Sequence, residues 1–329
     1  FDKFDEYQLA KYRKEGADVS LVDAVNLTHP RGSDALRKLI NGDLKSVNTW
    51  ESKLTAAGKA ESDEEKELLK GNAWKDLIRT RKLGYFALLR NLRNIIEQAP
   101  SVLDEALEML VDKTLIKKSL VLPFRFTTAV EQISELPGTR KVLIALNKAV
   151  DISLSNVPEF PGKTLIAVDH SGSMMGRPLE IASLFAAILF KTNNADINVF
   201  HNDSKYVTLN PLDSTLTLAE KIKTCRQHGG TNFNCIFEDA RDKYDRIIIL
   251  SDEQAWIGNA PTRALTDYKN RTNARPKIFS FDLAGYGSLQ FPEQDVYALA
   301  GFSEKTLEVL AMLEEDRGAL VKEIEGIVI

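Results

Sequence analysis

Cysteine is scarce in this 329-residue chain, which has only Cys225 and Cys235. Two thiols in a protein of this size make no disulfide framework. They are expected as half-buried thiols of a reducing cytosol. Histidine is scarce too, with four, and without paired cysteines a structural zinc site has little support. No apolar run approaches the ~20 residues that a membrane helix needs, and no secretory signal opens the chain. A cytoplasmic protein with no membrane contact is expected. Neither GxxxxGK[S/T] nor GxGxxG occurs, so nucleotide binding is unsupported. Position 1 lacks Met and holds Phe1, so residues are expected to be missing upstream.

What is there is ordinary in bulk. With 43% hydrophobic and 27% charged residues, the chain can bury ample core. Its length predicts two domains. The net charge of −4 is unevenly spread. Residues 1–160 carry 25 Lys+Arg against 24 Asp+Glu, and residues 161–329 carry 18 against 23. That balance argues against indiscriminate coating of nucleic acid, so local clusters must carry any such role.

The pattern changes along the chain. Up to residue 150, apolar residues recur every three or four positions, as in 36–44, 74–78, 86–96 and 102–110, which predicts helices. Breaks are expected at 29–32, Gly58, Gly71, Gly84, Pro100 and Pro137-Gly138. Ser62 with Glu65 predicts a capping box. Stacked helical pairs of an α-solenoid follow. The Pro-rich stretch 157–162 marks a boundary, giving domains 1–160 and 161–329. Beyond it, strands are expected at 165–168, 197–200, 206–209, 247–250 and 278–283. Helices are expected at 178–191, 217–226, 233–244, 262–270, 304–313 and 317–327. Such alternation predicts a mostly parallel sheet covered on both faces.

The most informative stretch is Thr164-Leu-Ile-Ala-Val-Asp169-His-Ser171-Gly-Ser173. An apolar run ends on Asp169, at the carboxyl end of a buried strand, where open α/β sheets place ligands. One carboxylate with two hydroxyls suits a hard cation such as Mg²⁺. The plainer alternative is that Asp169 and Ser171 cap the next helix. The spacing D-x-S-x-S resembles the metal-ion-dependent adhesion site (MIDAS) of von Willebrand factor A (vWA) domains. Gly229-Gly230-Thr231 and the strand end Ser251-Asp252 follow in the order such a domain requires. The resemblance implies Asp169, Ser171, Ser173, Thr231 and Asp252 as direct or supporting ligands of Mg²⁺ or Mn²⁺.

The helical part sharpens this. Leu83-Gly-Tyr-Phe-Ala-Leu-Leu-Arg-Asn-Leu-Arg93 and Val121-Leu-Pro-Phe-Arg-Phe126 resemble stretches of TROVE modules. Asp169-His-Ser-Gly-Ser-Met174 resembles the vWA motif found with them, with His170 where a small residue is usual. The chain thus resembles the TROVE–vWA proteins of the Ro family over roughly residues 15–329. That family's fold is a ring of HEAT-like repeats closed by a vWA domain, giving the fold class α + α/β. Its members bind misfolded small RNAs through the ring and structured Y RNAs outside it. The helical part here is about half a ring, and it resembles the C-terminal half of the module. A half-array leaves an uncapped end, so a larger assembly is expected.

Two basic clusters fit an RNA partner. Lys75, Arg79, Arg81, Lys82, Arg90 and Arg93 stand among one acid, Asp76. Lys113, Lys117, Lys118 and Arg125 form the second. Such groups can follow a phosphate backbone and release counterions, or simply form a solvated face. Tyr85 and Phe86 could stack bases, although Phe86 is expected in the core.

The leading expectation is a non-enzymatic RNA-binding protein for small Y-like or misfolded RNA. The second is a protein-interaction module whose metal takes a partner's carboxylate. The third, a metal hydrolase with Asp169 as nucleophile and Glu253 as base, lacks a following Asp-x-Asp and a phosphate-binding Lys.

Overall fold

The computed structural model describes residues 1, 4–13, 19–44, 50–225, 229–252, 261–284, 295–301, 305–316, 318 and 325–326. The chain divides into two compact units, Phe1–Ala106 with Leu320–Ile329, and Leu107–Ala319.

The described part of the first unit is helical. It comprises α1 (Glu6–Tyr12), α2 (Leu21–Thr28), α3 (Asp34–Ile40), α4 (Trp50–Ala57), α5 (Asp63–Arg79), α6 (Tyr85–Arg90), α7 (Leu92–Gln98) and the start of α8 (Leu103–Leu110). Caps fix the starts. The side chains of Asp5, Ser20, Ser33 and Ser62 each accept a backbone N–H three residues on, supplying a partner the helix itself lacks. Leu9, Val25, Leu36, Leu39 and Leu44 make one small core. Farther along, Trp74 is buried, stacks on Trp50 and donates its indole N–H to Gln98 Oε1 at 2.9 Å.

The second unit opens with α9 (Lys113–Ser119), α10 (Arg125–Ser134) and α11 (Arg140–Ser153). A six-stranded sheet follows, in the order β3-β2-β1-β4-β5-β6. Its strands are β1 (Thr164–Asp169), β2 (Ala195–Phe200), β3 (Ser204–Val207), β4 (Arg246–Ser251), β5 (Lys277–Asp282) and β6 (Val296–Ala300). All neighbours pair parallel except β2 and β3, which form a hairpin. The helices are α12 (Arg177–Thr192), α13 (Thr215–Thr224), α14 (Asn234–Glu238), α15 (Thr262–Thr272) and α16 (Lys305–Glu315). Leu165, Ala167, Ile247 and Ile249 pack with Phe237, Leu265 and Tyr268 on one face. On the other, Phe185 of α12 meets Phe281 edge-on, with ring centres 5.2 Å apart. Every residue of β1 and β4 is buried, as a parallel sheet covered on both faces requires.

The helical region followed by a mostly parallel α/β domain is the expected fold class. Several local expectations are corrected. Gly71 does not break a helix but lies inside α5. A Cβ there would stand 2.6 Å from the Gln98 carbonyl oxygen, so the glycine permits a close crossing. The helix expected at 233–244 is only α14, Asn234–Glu238. The strand expected at 206–209 starts at Ser204 and pairs antiparallel. Strand β6 was not expected from the sequence. The helix expected at 317–327 falls mostly outside the described residues.

Candidate metal centre and nucleic-acid interface

The parallel strands β1, β2, β4 and β5 end side by side at Asp169, Phe200, Ser251 and Asp282. Val168 stands beside Leu250 in the register, so Asp169 and Ser251 are the next neighbours. Asp169 is fully buried. Its Oδ1 accepts the Ser171 backbone N–H at 2.7 Å, and its Oδ2 accepts the Ser251 hydroxyl at 2.6 Å. Burial pushes its pKa up to about 6. The Ser251 and Ser171 hydrogen bonds pull the other way, and the Asp252 charge adds to the rise. A carboxylate so placed is short of positive charge.

The other predicted residues gather around it. Ser171 is buried, and its Oγ lies 3.2 Å from Ser173 Oγ. Met174, buried next along, anchors this loop, while Met175 is 61% exposed. The Thr231 loop is tied to the same segment, because Ser171 bridges to Gly229 and the Gly172 N–H bonds the Gly229 carbonyl at 2.9 Å. From the β2–β3 hairpin, Asn202 Oδ1 accepts the Gly230 N–H, and the His201 carbonyl accepts the Asn232 N–H, both at 2.8 Å. A Cβ at Gly229 would sit 3.0 Å from the His201 ring, so glycine allows that approach. Thr231 is fully buried, and its hydroxyl has no hydrogen-bond partner among the described residues. Asp252 is buried just past β4.

A hard cation fits this donor set. The orphaned Thr231 hydroxyl and the buried, charge-starved Asp169 are both costly as they stand. Among the described residues no three His, Cys, Asp or Glu side chains converge into a metal cage. The donors here are two carboxylates and three hydroxyls, a set suited to weak binding of Mg²⁺ or Mn²⁺ with water completing the shell. Two neighbours were missed from sequence. Ser251, which holds Asp169, was read only as part of a strand end. Asp282, buried at the end of β5, was legible by the same strand-end logic. Glu253 lies outside the described residues. Cys225 is half-buried and Cys235 buried, and their thiols donate to the Ile222 and Asn232 carbonyls at 3.0 and 2.9 Å.

The basic residues fall in both units. Arg79 ends α5, 3.9 Å from Glu105. Arg81 takes left-handed backbone at φ 52°, and the Lys82 N–H reaches back to the Leu77 carbonyl at 3.0 Å. This is the Schellman close of a helix, and it leaves both side chains exposed. Lys75 is half-buried and Arg90 exposed. Arg93 pairs with Glu97 at 3.0 Å. In the second unit Lys118 and Arg125 are exposed. The Lys117 ammonium is committed to the Ser155 carbonyl at 2.6 Å. Phe86 corrects an expectation: it is 45% exposed, and Tyr85 is buried in its place.

Residues 41–148 match the TROVE domain, and residues 163–313 match the Ro60 vWA domain. The Ro (RSR) protein of Deinococcus radiodurans superimposes with a TM-score of 0.66 and 20% identity, over 95% of this chain and 74% of that one. An aerotolerance-related membrane protein of Bacteroides fragilis aligns at 15% identity, over 46% of this chain and 98% of its own, with a TM-score of 0.34. BatB of Bacteroides thetaiotaomicron aligns at 13%, over 48% and 98%, with a TM-score of 0.32. No curated protein sequence matches. Among the described residues no helix is long and apolar enough to cross a membrane. The chain thus carries a segment that matches the TROVE domain, followed by one that matches the Ro60 vWA domain, in a fold similar to that of the Deinococcus protein.

Proposed function

We propose that this chain binds small RNA, structured Y-like or misfolded, and has no catalytic role. The observation that carries this is the joining, in one chain, of a TROVE segment to a Ro60-type vWA domain. The electrostatics support it. Residues 77–96 hold five Lys or Arg and no acid, and a backbone of phosphates is the partner such a run suits. Lys75, Arg79, Arg81, Lys82, Arg90 and Arg93 are the contacts in the first unit, with Lys118 and Arg125 in the second. Lys117 contributes less, because its ammonium already holds a carbonyl.

In this reading Asp169, Ser171, Ser173, Thr231 and Asp252 hold one Mg²⁺ or Mn²⁺. The metal supplies a fixed positive charge at the sheet's carboxyl edge. The residues position it: Ser251 and the Ser171 N–H orient Asp169, and the Gly229–Gly172 bond brings in the Thr231 loop. A second reading, a protein partner docking a carboxylate at this metal, gains from Met175, an exposed apolar side chain two residues beyond Ser173.

Pull-down with sequencing separates the two. Enrichment of small structured RNAs that survives EDTA supports RNA binding through the basic surfaces. A protein partner released by EDTA, with no RNA enriched, supports the docking reading and removes the first.

A further inference from the structure

Phe86 is an aromatic side chain out of place. The helix α6 already fills the core with Tyr85, Leu88 and Leu89, and Phe86 is left 45% exposed. Exposing a ring of this size forgoes burial worth having. Arg90 lies four residues on, so the two side chains share one face of the helix. Arg90 is exposed and has no acidic partner among the described residues. Nothing acidic lies between residues 77 and 96, while Arg81 and Lys82 stand just before α6.

An exposed apolar ring alone would suit a protein partner as well. The company it keeps decides otherwise. A protein surface that docks on a phenyl ring gains little from exposed cations around it, whereas a nucleotide presents a flat base and a phosphate together. We propose that Phe86 and Arg90 form a stacking platform for an unpaired base of single-stranded RNA, with Arg90 taking the adjoining phosphate. This rests on the RNA-binding reading above and narrows it to an unpaired segment. Duplex RNA keeps its bases stacked inside the helix and presents no free face to the ring. A base–aromatic stack is sequence-tolerant, so the platform selects strandedness and not sequence.

The test uses the full chain and a short single-stranded oligoribonucleotide carrying 2-aminopurine, beside a blunt RNA duplex. Stacking on the ring quenches the probe. Phe86→Ala is expected to remove the quench and weaken single-strand binding roughly tenfold, with the salt dependence and duplex binding unchanged. Phe86→Trp is expected to restore both quench and affinity, which a merely structural role for Phe86 does not predict. Arg90→Gln is expected to lower the salt slope by about one phosphate's worth. Phe86 is on the surface, so its loss leaves the fold intact, and an unchanged thermal melt verifies this. Single-strand binding that is equal in Phe86→Ala and the unmutated chain overturns the platform and leaves RNA binding standing. A chain that binds neither probe overturns both.

Discussion

The Ser251 hydroxyl donates to Asp169 Oδ2 at 2.6 Å, joining the carboxyl ends of β4 and β1. One oxygen of the carboxylate is thus held from the next strand and the other from its own loop, by the Ser171 N–H. Asp169 is oriented before any ligand arrives. Ser251→Ala is expected to leave the fold intact and to raise the Asp169 pKa further, since a hydrogen bond to the charged form is lost. Carboxyl chemical shifts through a pH titration measure it.

Asp169 also sets a pH dependence for the metal-free chain. Its folded pKa, about 6, lies above the ordinary carboxylate value of 3.8. The folded state therefore binds the proton more tightly than the unfolded state. The contribution to stability is full below about pH 4 and is lost as pH rises to about 6. Asp169→Asn, neutral throughout, is expected to be more stable than the unmutated chain at pH 7 without metal, by roughly 3 kcal/mol. That advantage should vanish near pH 4. Added Mg²⁺ should raise the melting temperature of the unmutated chain only. A pH-independent difference between the two proteins would sink this account.

Thr231 makes a second, separable test of the metal centre. Its buried hydroxyl has no hydrogen-bond partner among the described residues. Thr231→Val removes that polar atom at nearly constant shape, so the metal-free protein should gain about 1 kcal/mol. Calorimetric affinity for Mg²⁺ or Mn²⁺ should fall, and Asp169→Ala should abolish it. Equal metal affinity in all three proteins would remove the ligand assignment.

Gly71 tests the close crossing in the first unit. Alanine favours a helix interior by about 1 kcal/mol over glycine. At this position its methyl would sit 2.6 Å from the Gln98 carbonyl. The clash should win, and Gly71→Ala should destabilise by roughly 1–3 kcal/mol in denaturant unfolding. A stabilised variant would mean that the two segments separate easily.

Arg246 and Glu314 test the anchoring of α16 on the sheet. Arg246 is almost wholly buried, and its guanidinium meets both Glu314 carboxylate oxygens, at 2.5 and 2.7 Å. It also donates to Thr164 Oγ1 at 2.8 Å. Glu314→Ala leaves a buried cation uncompensated and should cost about 3–5 kcal/mol. Replacing both with apolar residues should cost less than that single change. A double variant no better than Glu314→Ala would show that the contribution is packing and not charge.

The division between what sequence and structure each revealed has a physical basis. The apolar runs ending at Asp169 and Asp252 needed only local information, because a strand buried on both faces must be continuously apolar and must end where polarity returns. Asp169 and Asp252 were therefore legible as acids at strand ends, while Ser171, Ser173 and Thr231 were implied only by the resemblance to the vWA motif. The helix cap at Ser62 likewise depends only on the chain's nearest neighbours.

Contacts between distant segments were not legible. Tyr85 and Phe86 are adjacent aromatics on one short helix, and either satisfies the helical period. Which one enters the core depends on where the surrounding helices leave room, and the structure chose Tyr85. Gly71 read as a break because glycine weakens isolated helices, yet its lack of a side chain serves a crossing with Gln98, 27 positions on. Ser251 could be placed at a strand end from sequence, but its bond to Asp169 required the register of β1 on β4. The sequence by itself determined the order of the domains and where most elements lie, since those are short-range consequences of burial and capping. Only the tertiary structure decided which side chains face one another, because that depends on packing among segments whose separation along the chain carries no pattern.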